Sequence, residues 1–387
     1  MKYLCMGLII ALCVNCAEQP PTDDIAFRGA EEESILTVGA DVYLTVTDSI
    51  GAEFGDSNYV FGEIVDADIM PNGNIVVLDR QKAQITVFSP SGTFIGIVCR
   101  KGNGPGELQL PSSLGMASFP LIERECVIDS IEPGLVVCDV INHKLIYFNS
   151  NLEHMIDVND FFPSPPVRLS GVEGGTIIGM QPQYQNSEER SLMGFIVAKW
   201  EIGEQDPSTV YFERMSPYHP NDLSTMHSNT IVFGTTPEGT VFTAPLSSEV
   251  YEITAWNSEG EEIFTIIDAS FEMVSKTQDE IDFETEIVRN RMPESMATWE
   301  PNPYRSAIEG IWYDDQNRIW VNRGTIQTKY FDIYNMDGNH LFTASIDAGD
   351  RSKSWHVQIQ GNRFIAFDVN PELYPQIFIG ELPSSVE

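Results

Sequence analysis

Basic residues are scarce in this chain: 22 Lys and Arg stand against 57 Asp and Glu, leaving a formal charge of −35. Binding to nucleic acid or to anionic lipid headgroups relies on cations that neutralise phosphates, so a field of this sign argues against both. The acidity is read as a source of solubility, with attraction of cations or a basic partner as its functional counterpart. Cysteine is sparse, with 6 in 387 residues, and no Cys–His cluster has zinc-site spacing. HExxH, an EF-hand loop and GxSxG are missing, and the six histidines (His143, His154, His219, His227, His340, His356) lack a flanking catalytic signature. Long apolar runs are absent apart from one at the start.

That run carries an address. Lys2 precedes YLCMGLIIALCV, then Asn15 and Cys16, and the chain turns polar with AEQPPTDD. A short basic region before an apolar stretch of this length fits an export signal and is too short for a comfortable membrane span. The segment resembles a bacterial lipoprotein signal, which implies residues 1–16 as the signal and Cys16 as the lipidated first residue of the mature protein. Leu12 and Asn15 depart from that pattern, so an ordinary cleaved signal is the alternative. Residues 17–34 read as a flexible tether. The expected address is periplasm or outer membrane, with the lipid anchor as the only membrane contact. Beyond Cys16, Cys99, Cys126 and Cys138 remain; Cys126 and Cys138 flank DSIEPG and are candidates to face each other across a hairpin, with buried free thiols as the equal alternative.

The rest of the chain repeats itself. NIVVLD (Asn74 to Asp79) is followed by QITVFSPSGTFIGIV (Gln84 to Val98), two β-rich runs with a Ser-Gly turn. The phrase recurs from Gly134 to Val158, from Gly239 to Ile267 and from Arg318 to Ile346. Weaker copies start at Gly175 and Arg363. Four short antiparallel strands at a period of roughly 45 residues mark a propeller blade. The expected fold is therefore all-β, a six-bladed β-propeller over residues 35–387. The last unit lacks an outer strand, and Ile35 to Gly51 has the character to supply it, closing the ring with an N-terminal strand.

The stretch ADIMPNGNIVVLDRQKAQITVFSPSGTFIG, with GNGPGEL following, resembles an NHL-type repeat. More broadly, the mature chain resembles the six-bladed propeller lipoproteins of the Bacteroidetes. That resemblance implies a fold and an envelope location, and brings no catalytic motif with it.

RKGNGPGELQLP (Arg100 to Pro111) looks at first like a phosphate cradle. A P-loop requires Lys and Ser or Thr after its glycines, whereas Gly106 is followed by Glu107 and Leu108. Pro111 and its serines also leave no helix to aim at a pyrophosphate. The stretch is read as the crossing from the first blade to the second, where glycine allows a tight turn. One insertion interrupts the repeats. SKTQDEIDFETEIVRNRMPES (Ser275 to Ser295) is helical in character, with Thr277 and Glu280 as a capping box and Pro293 after its end. It lies between blades four and five, as a lid on the funnel or a packing decoration. Trp299, Tyr304, Trp312 and Tyr313 beyond it read as core more readily than as a stacking surface.

Propellers bind along the axis, at the innermost strands. Polar candidates there are Asp66 and Asp68 in blade one, Arg168 in blade three, His227 in blade four, Glu309 in blade five and His356 in blade six. Such a set hydrates a channel or holds a charged ligand. No cofactor is implied, although a divalent cation is the one group these carboxylates and imidazoles suit. The reading is a monomeric, non-catalytic binding module for an unknown protein, peptide or carbohydrate. The alternative is a metal-dependent lyase or hydrolase acting on carbohydrate or peptide in the funnel.

Overall fold

A computed structural model describes residues 40–123, 126–172, 176–186, 190–217, 228–291, 300–324, 328–346, 348–370 and 372–384. The signal, the tether, Cys16, His219, His227 and Trp299 lie outside them.

Two short strands come first, β1 (Val42–Leu44) and β2 (Val46–Ile50). Blade one follows as β3 (Ile64–Ile69), β4 (Ile75–Asp79), β5 (Gln84–Phe88) and β6 (Phe94–Ile97). Blade two is β7 (Pro111–Glu123), β8 (Cys126–Asp139), β9 (Lys144–Phe148) and β10 (His154–Val158). Blade three is β11 (Val167–Val172), β12 (Thr176–Asn186), β13 (Ser191–Glu201) and β14 (Thr209–Pro217). Blade four is β15 (Ile231–Thr235), β16 (Val241–Pro245), β17 (Glu252–Trp256) and β18 (Glu262–Ile267). The helix α1 (Gln278–Arg291) separates it from blade five, which is β19 (Gly310–Tyr313), β20 (Arg318–Arg323), β21 (Lys329–Asn335) and β22 (His340–Ile346). Blade six is β23 (Trp355–Gln360), β24 (Arg363–Asp368) and β25 (Ile377–Glu381), and β2 pairs antiparallel with β25 as its fourth strand. β1 adds in parallel to β22 of blade five, so one short segment spans two blades.

The fold is the expected six-bladed propeller. The first strands of successive blades, β3, β7, β11, β15, β19 and β23, touch in that order, and β3 meets β24 to complete the ring. These innermost strands surround the axis.

Packing explains why the second strands read as continuous apolar runs. Side chains alternate across a strand, and both faces of a blade are covered by its neighbours. In IVVLD, Val76 and Leu78 pack toward blade two, while Ile75 and Val77 pack toward blade six. Ile177 likewise faces blade two and Ile178 faces blade four. Each of the six interfaces between blades holds its own hydrophobic cluster. Each buried Ile, Val or Phe contributes about 1.5–3 kcal/mol, so the disc is held blade to blade.

The aspartate ending these runs has a structural task. Asp79 accepts from Gly62 N at 2.7 Å and Glu63 N at 3.2 Å, fixing the chain just before β3. Asp139 does the same for Gln109 N at 2.7 Å and Leu110 N at 3.0 Å before β7. Both carboxylates are buried, and their donors are amides that would otherwise lack partners.

The structure corrects the proposed pairing of Cys126 and Cys138. Both lie on β8, 13 residues of one strand inclusive, with the DSIEPG segment paired across to β7. At about 3.3 Å per residue their Cα atoms are on the order of 40 Å apart, against about 7 Å at most for a disulfide. Cys99 and Cys138 are buried free thiols, and burial pushes each up to about 12, so neither is a nucleophile at neutral pH.

Candidate functional site

The glycine loop is a connector, and its amides are taken. Gly104 N donates to Glu107 Oε2 at 2.9 Å, and Gly106 N donates to Asp157 Oδ1 and Oδ2 at 3.2 and 3.3 Å. Asp157 also receives Lys144 Nζ at 2.9 Å and His154 Nε2 at 2.8 Å. Burial alone would raise the Asp157 carboxyl; the bonds from Lys144, His154 and Gly106 outweigh it and hold the carboxyl below its ordinary value. Gly106 has φ 70, and a Cβ on Gly102 would meet Glu107 Oε2 at 2.0 Å. The protein's own carboxylates thus sit where a phosphate would be sought.

The axis is different. Arg168 is the second residue of β11 and has φ 53, in the left-handed region that non-glycine residues seldom enter. The β11–β12 register shifts between Val167 and Leu169, so Arg168 is the bulged residue. A bulge re-aims one side chain without ending the strand, and strain of this kind gathers at functional positions. Arg168 is in electrostatic reach of Asp66 in blade one, Glu309 in blade five and His356 in blade six. Blades three and six lie opposite each other in the ring, so the guanidinium projects toward the axis.

Arg168, Glu309 and His356 are each solvent-accessible, yet burial is the first cause of every one of their ionisation shifts. Both hold at once for groups in a wet passage walled by protein. Burial lowers His356 to about 4, aided by the positive charges of Arg168 and Lys329. The imidazole is therefore neutral at physiological pH. Burial raises the Glu309 carboxyl against the opposing pull of Lys329 and Lys276. Burial lowers Lys329, with Glu309 pulling the other way.

The structure thus brings together Asp66, Arg168, Glu309 and His356 from four blades. Asp68 is two residues along β3 from Asp66, on the same side of the strand, and is held locally by Ile69 N, which donates to its Oδ1 at 2.7 Å. His227 belongs to the residues outside the description. Two members escaped the sequence reading. Lys329 opens β21 and is only 6% exposed. Gln358 follows His356 by two residues on β23 and donates to Asp66 Oδ1 at 2.7 Å. The strict alternation of WHVQIQ is the signal that would have found Gln358: His356, Gln358 and Gln360 share a face opposite Trp355, Val357 and Ile359.

Among the described residues no three His, Cys, Asp or Glu side chains converge on a point that could hold a metal ion. A guanidinium stands amid the axial groups instead, and its charge repels a cation.

The helix α1 is anchored near the same groups. Its capping box forms as the sequence indicates: Thr277 N donates to Glu280 Oε2 at 2.5 Å and Glu280 N to Thr277 Oγ1 at 3.3 Å. Glu280 makes a buried ion pair with Arg305 at 2.8 Å, and Lys276 pairs with Glu284 at 2.7 Å. Lys276, Glu284 and Arg305 all act electrostatically on Glu309, so the anchored end of the helix lies by the passage. Of the aromatics beyond it, Trp312 packs against the core between blades five and six. A separate groove of about 400 Å³ runs between the outer parts of blades one and two, lined by Asn72, Ile95, Ile97 and Asn151, with no titratable group. No helix among the described residues is long and apolar enough to cross a membrane.

Comparison with known proteins agrees with this architecture. No curated protein matches the chain. Among solved structures, a protein from Bacteroides fragilis described as exported is 14% identical, with 88% of this chain and 96% of that one covered and a TM-score of 0.48. A member of the duf4221 family from Bacteroides vulgatus is 10% identical over 87% of this chain and 97% of that one, with a TM-score of 0.49. A gluconolactonase from Xanthomonas campestris is 10% identical over 88% and 99%, with a TM-score of 0.42. At such identities and scores, none of these activities transfers to this chain. A family model described as a 6-bladed beta-propeller matches residues 59–365, and the chain therefore belongs to that family, DUF5128.

Proposed function

We propose that this protein is an exported binding module, lipid-anchored through Cys16, that holds a small polar ligand in the axial passage of its propeller. One observation carries the reading: Asp66, Arg168, Glu309 and His356 reach one region from four blades, with Arg168 held there at a strained bulge. Strain that adds nothing to packing is retained where a site needs it. The rigid ring fixes these groups before any ligand arrives, which lowers the entropy cost of binding. The apolar run after Lys2 and the polar turn after Cys16 support export and anchoring.

The test is a melt of wild type and Arg168→Ala against a panel of sugars, sugar acids, amino acids and dipeptides, with each compound examined by NMR after incubation. The reading expects a compound that raises the wild-type Tm, leaves the variant unmoved and is recovered intact. A compound consumed in the wild type alone would replace binding with catalysis. A panel without any Tm shift would overturn the assignment. Labelling with an alkyne fatty acid tests the anchor: the wild type should be labelled and Cys16→Ala should not.

A further inference from the structure

We infer that the outer edge of blade one receives residues 34–38 (SILTV) of a second copy of this chain, so that two copies exchange strands across a two-fold axis. The inference does not depend on the axial passage holding a ligand, and it departs from the monomeric expectation.

β6 ends the sheet of blade one, with no strand paired beyond it among the described residues. Val98 N donates to Ile85 O at 3.0 Å, which turns the N–H and C=O of Ile97, one residue earlier, away from β5 and toward the open edge. Ile95 and Ile97 are 53% and 49% exposed. Open edges are blunted by charge, and β2, β10, β14 and β18 each carry an acidic residue. FIGI of β6 has none. The groove of about 400 Å³ beside it, lined by Ile95, Ile97 and Asn151, holds no titratable group in a chain of −35. A strand added at this edge gains main-chain bonds from β6 and sets alternate side chains in the groove. The chain already extends one outer edge in this way, since β1 adds to β22.

The occupant is named by charge and reach. SILTV is uncharged and rich in strand formers, and it precedes the described residues. Added antiparallel to β6, it sets the preceding Glu31, Glu32 and Glu33 beside Arg100 and Lys101, which follow β6 and are exposed. β1 runs the same way as the outer strand it joins, so this entry needs a reversal, and Gly39 supplies it. The segment cannot lie along β6 of its own chain. Thr343 N of blade five holds Asp41 Oδ2 at 2.8 Å, and Val38, three residues earlier, stays within about 11 Å of Asp41. Blade one is two blades away. Packed sheets are about 10 Å apart at their closest and fan outward, so β6 is more than about 20 Å off. The ring order of five, six and one gives the second copy its place. A two-fold axis parallel to the propeller axes, outside blade six, sets blade five of each copy against blade one of the other. Both segments then cross together, the contact closes, and the axial passages stay open.

Sedimentation equilibrium of the mature chain, made without lipid from Ala17 onward, tests it. Two short strands make a small contact, so the range to cover is about 1 to 200 μM. The expected result is a monomer–dimer equilibrium, with Ile97→Lys and Leu36→Lys each weakening it about ten-fold or more. Glu33→Lys should weaken it as well, and Lys101→Glu added to Glu33→Lys should restore it, which a damaged fold would not do. Exchange between copies has its own readout. Leu36→Cys and Ile97→Cys chains, one of them isotope-labelled, should form a disulfide between labelled and unlabelled protein when mixed and oxidised. A monomer at every concentration would overturn the inference, as would a dimer indifferent to both lysine variants. A chain carrying both cysteines that crosslinks only within itself would also overturn it. Should Ile97→Lys not fold, Leu36→Lys, in the N-terminal segment, supplies the same readout.

Discussion

Gln358 Nε2 donates to Asp66 Oδ1 at 2.7 Å, across 292 positions of sequence. The bond joins the innermost strand of blade six to that of blade one. Ser170 and Thr235 share a similar hydroxyl contact between blades three and four. Polar side chains on the axis therefore tie blade to blade as well as facing the passage.

Replacing Gln358 should cost stability at this seam. Gln358→Ala removes a donor from a largely buried carboxylate, and such a loss costs about 1–3 kcal/mol. The urea midpoint is expected to fall accordingly. Gln358→Glu sets two carboxylates together, so its deficit should grow as pH rises above the carboxylate range.

The buried pair Lys144–Asp157 locks the glycine connector to blade two. Asp157→Asn leaves the Lys144 ammonium, 3% exposed, without its anion, and removal of one partner from such a pair costs about 3–5 kcal/mol. Lys144→Met with Asp157→Asn together should recover much of that loss. Because Asp157 is held below its ordinary pKa when folded, its contribution is present above the usual carboxylate range and is lost as pH falls through the folded value. Chemical denaturation of the wild type and both variants at pH 7 and at acid pH reads these effects.

Glu309 works in the opposite direction. Its folded pKa is raised, so the folded state binds the extra proton and stability declines as pH rises through that window. Glu309→Gln removes a charge that its surroundings disfavour, as its raised pKa shows. The variant should melt above wild type at pH 8 and lose this advantage at pH 4, while binding in the passage is impaired. A site group whose removal stabilises the protein marks a position kept for function.

Much of this was legible from local chemistry. The Thr277–Glu280 box is a contact between residues three apart, and it formed as its spacing requires. The blades were legible because an apolar run ending in Asp recurs, and both of its causes, neighbours on two faces and amides to be satisfied, act within each unit. Cys126 and Cys138 show the limit. DSIEPG has turn residues, but long-range pairing with β7 keeps it extended. Among site residues, Arg168 and His356 stood out as polar breaks in apolar strands. Lys329 did not, because a lysine opening a third strand gives no sign that it will be buried within electrostatic reach of the glutamate that precedes its own blade's first strand.

The account stands or falls on side chains from opposite blades meeting at the axis, and the His356 imidazole reports this directly. NMR titration of the labelled ring should give a pKa of about 4 in the wild type, far below the ordinary value of 6.5. Arg168→Gln, made on the opposite blade, should raise it, because one of the positive charges opposing protonation is gone. A wild-type value near 6.5, unchanged by Arg168→Gln, would contradict the convergence and the site built on it.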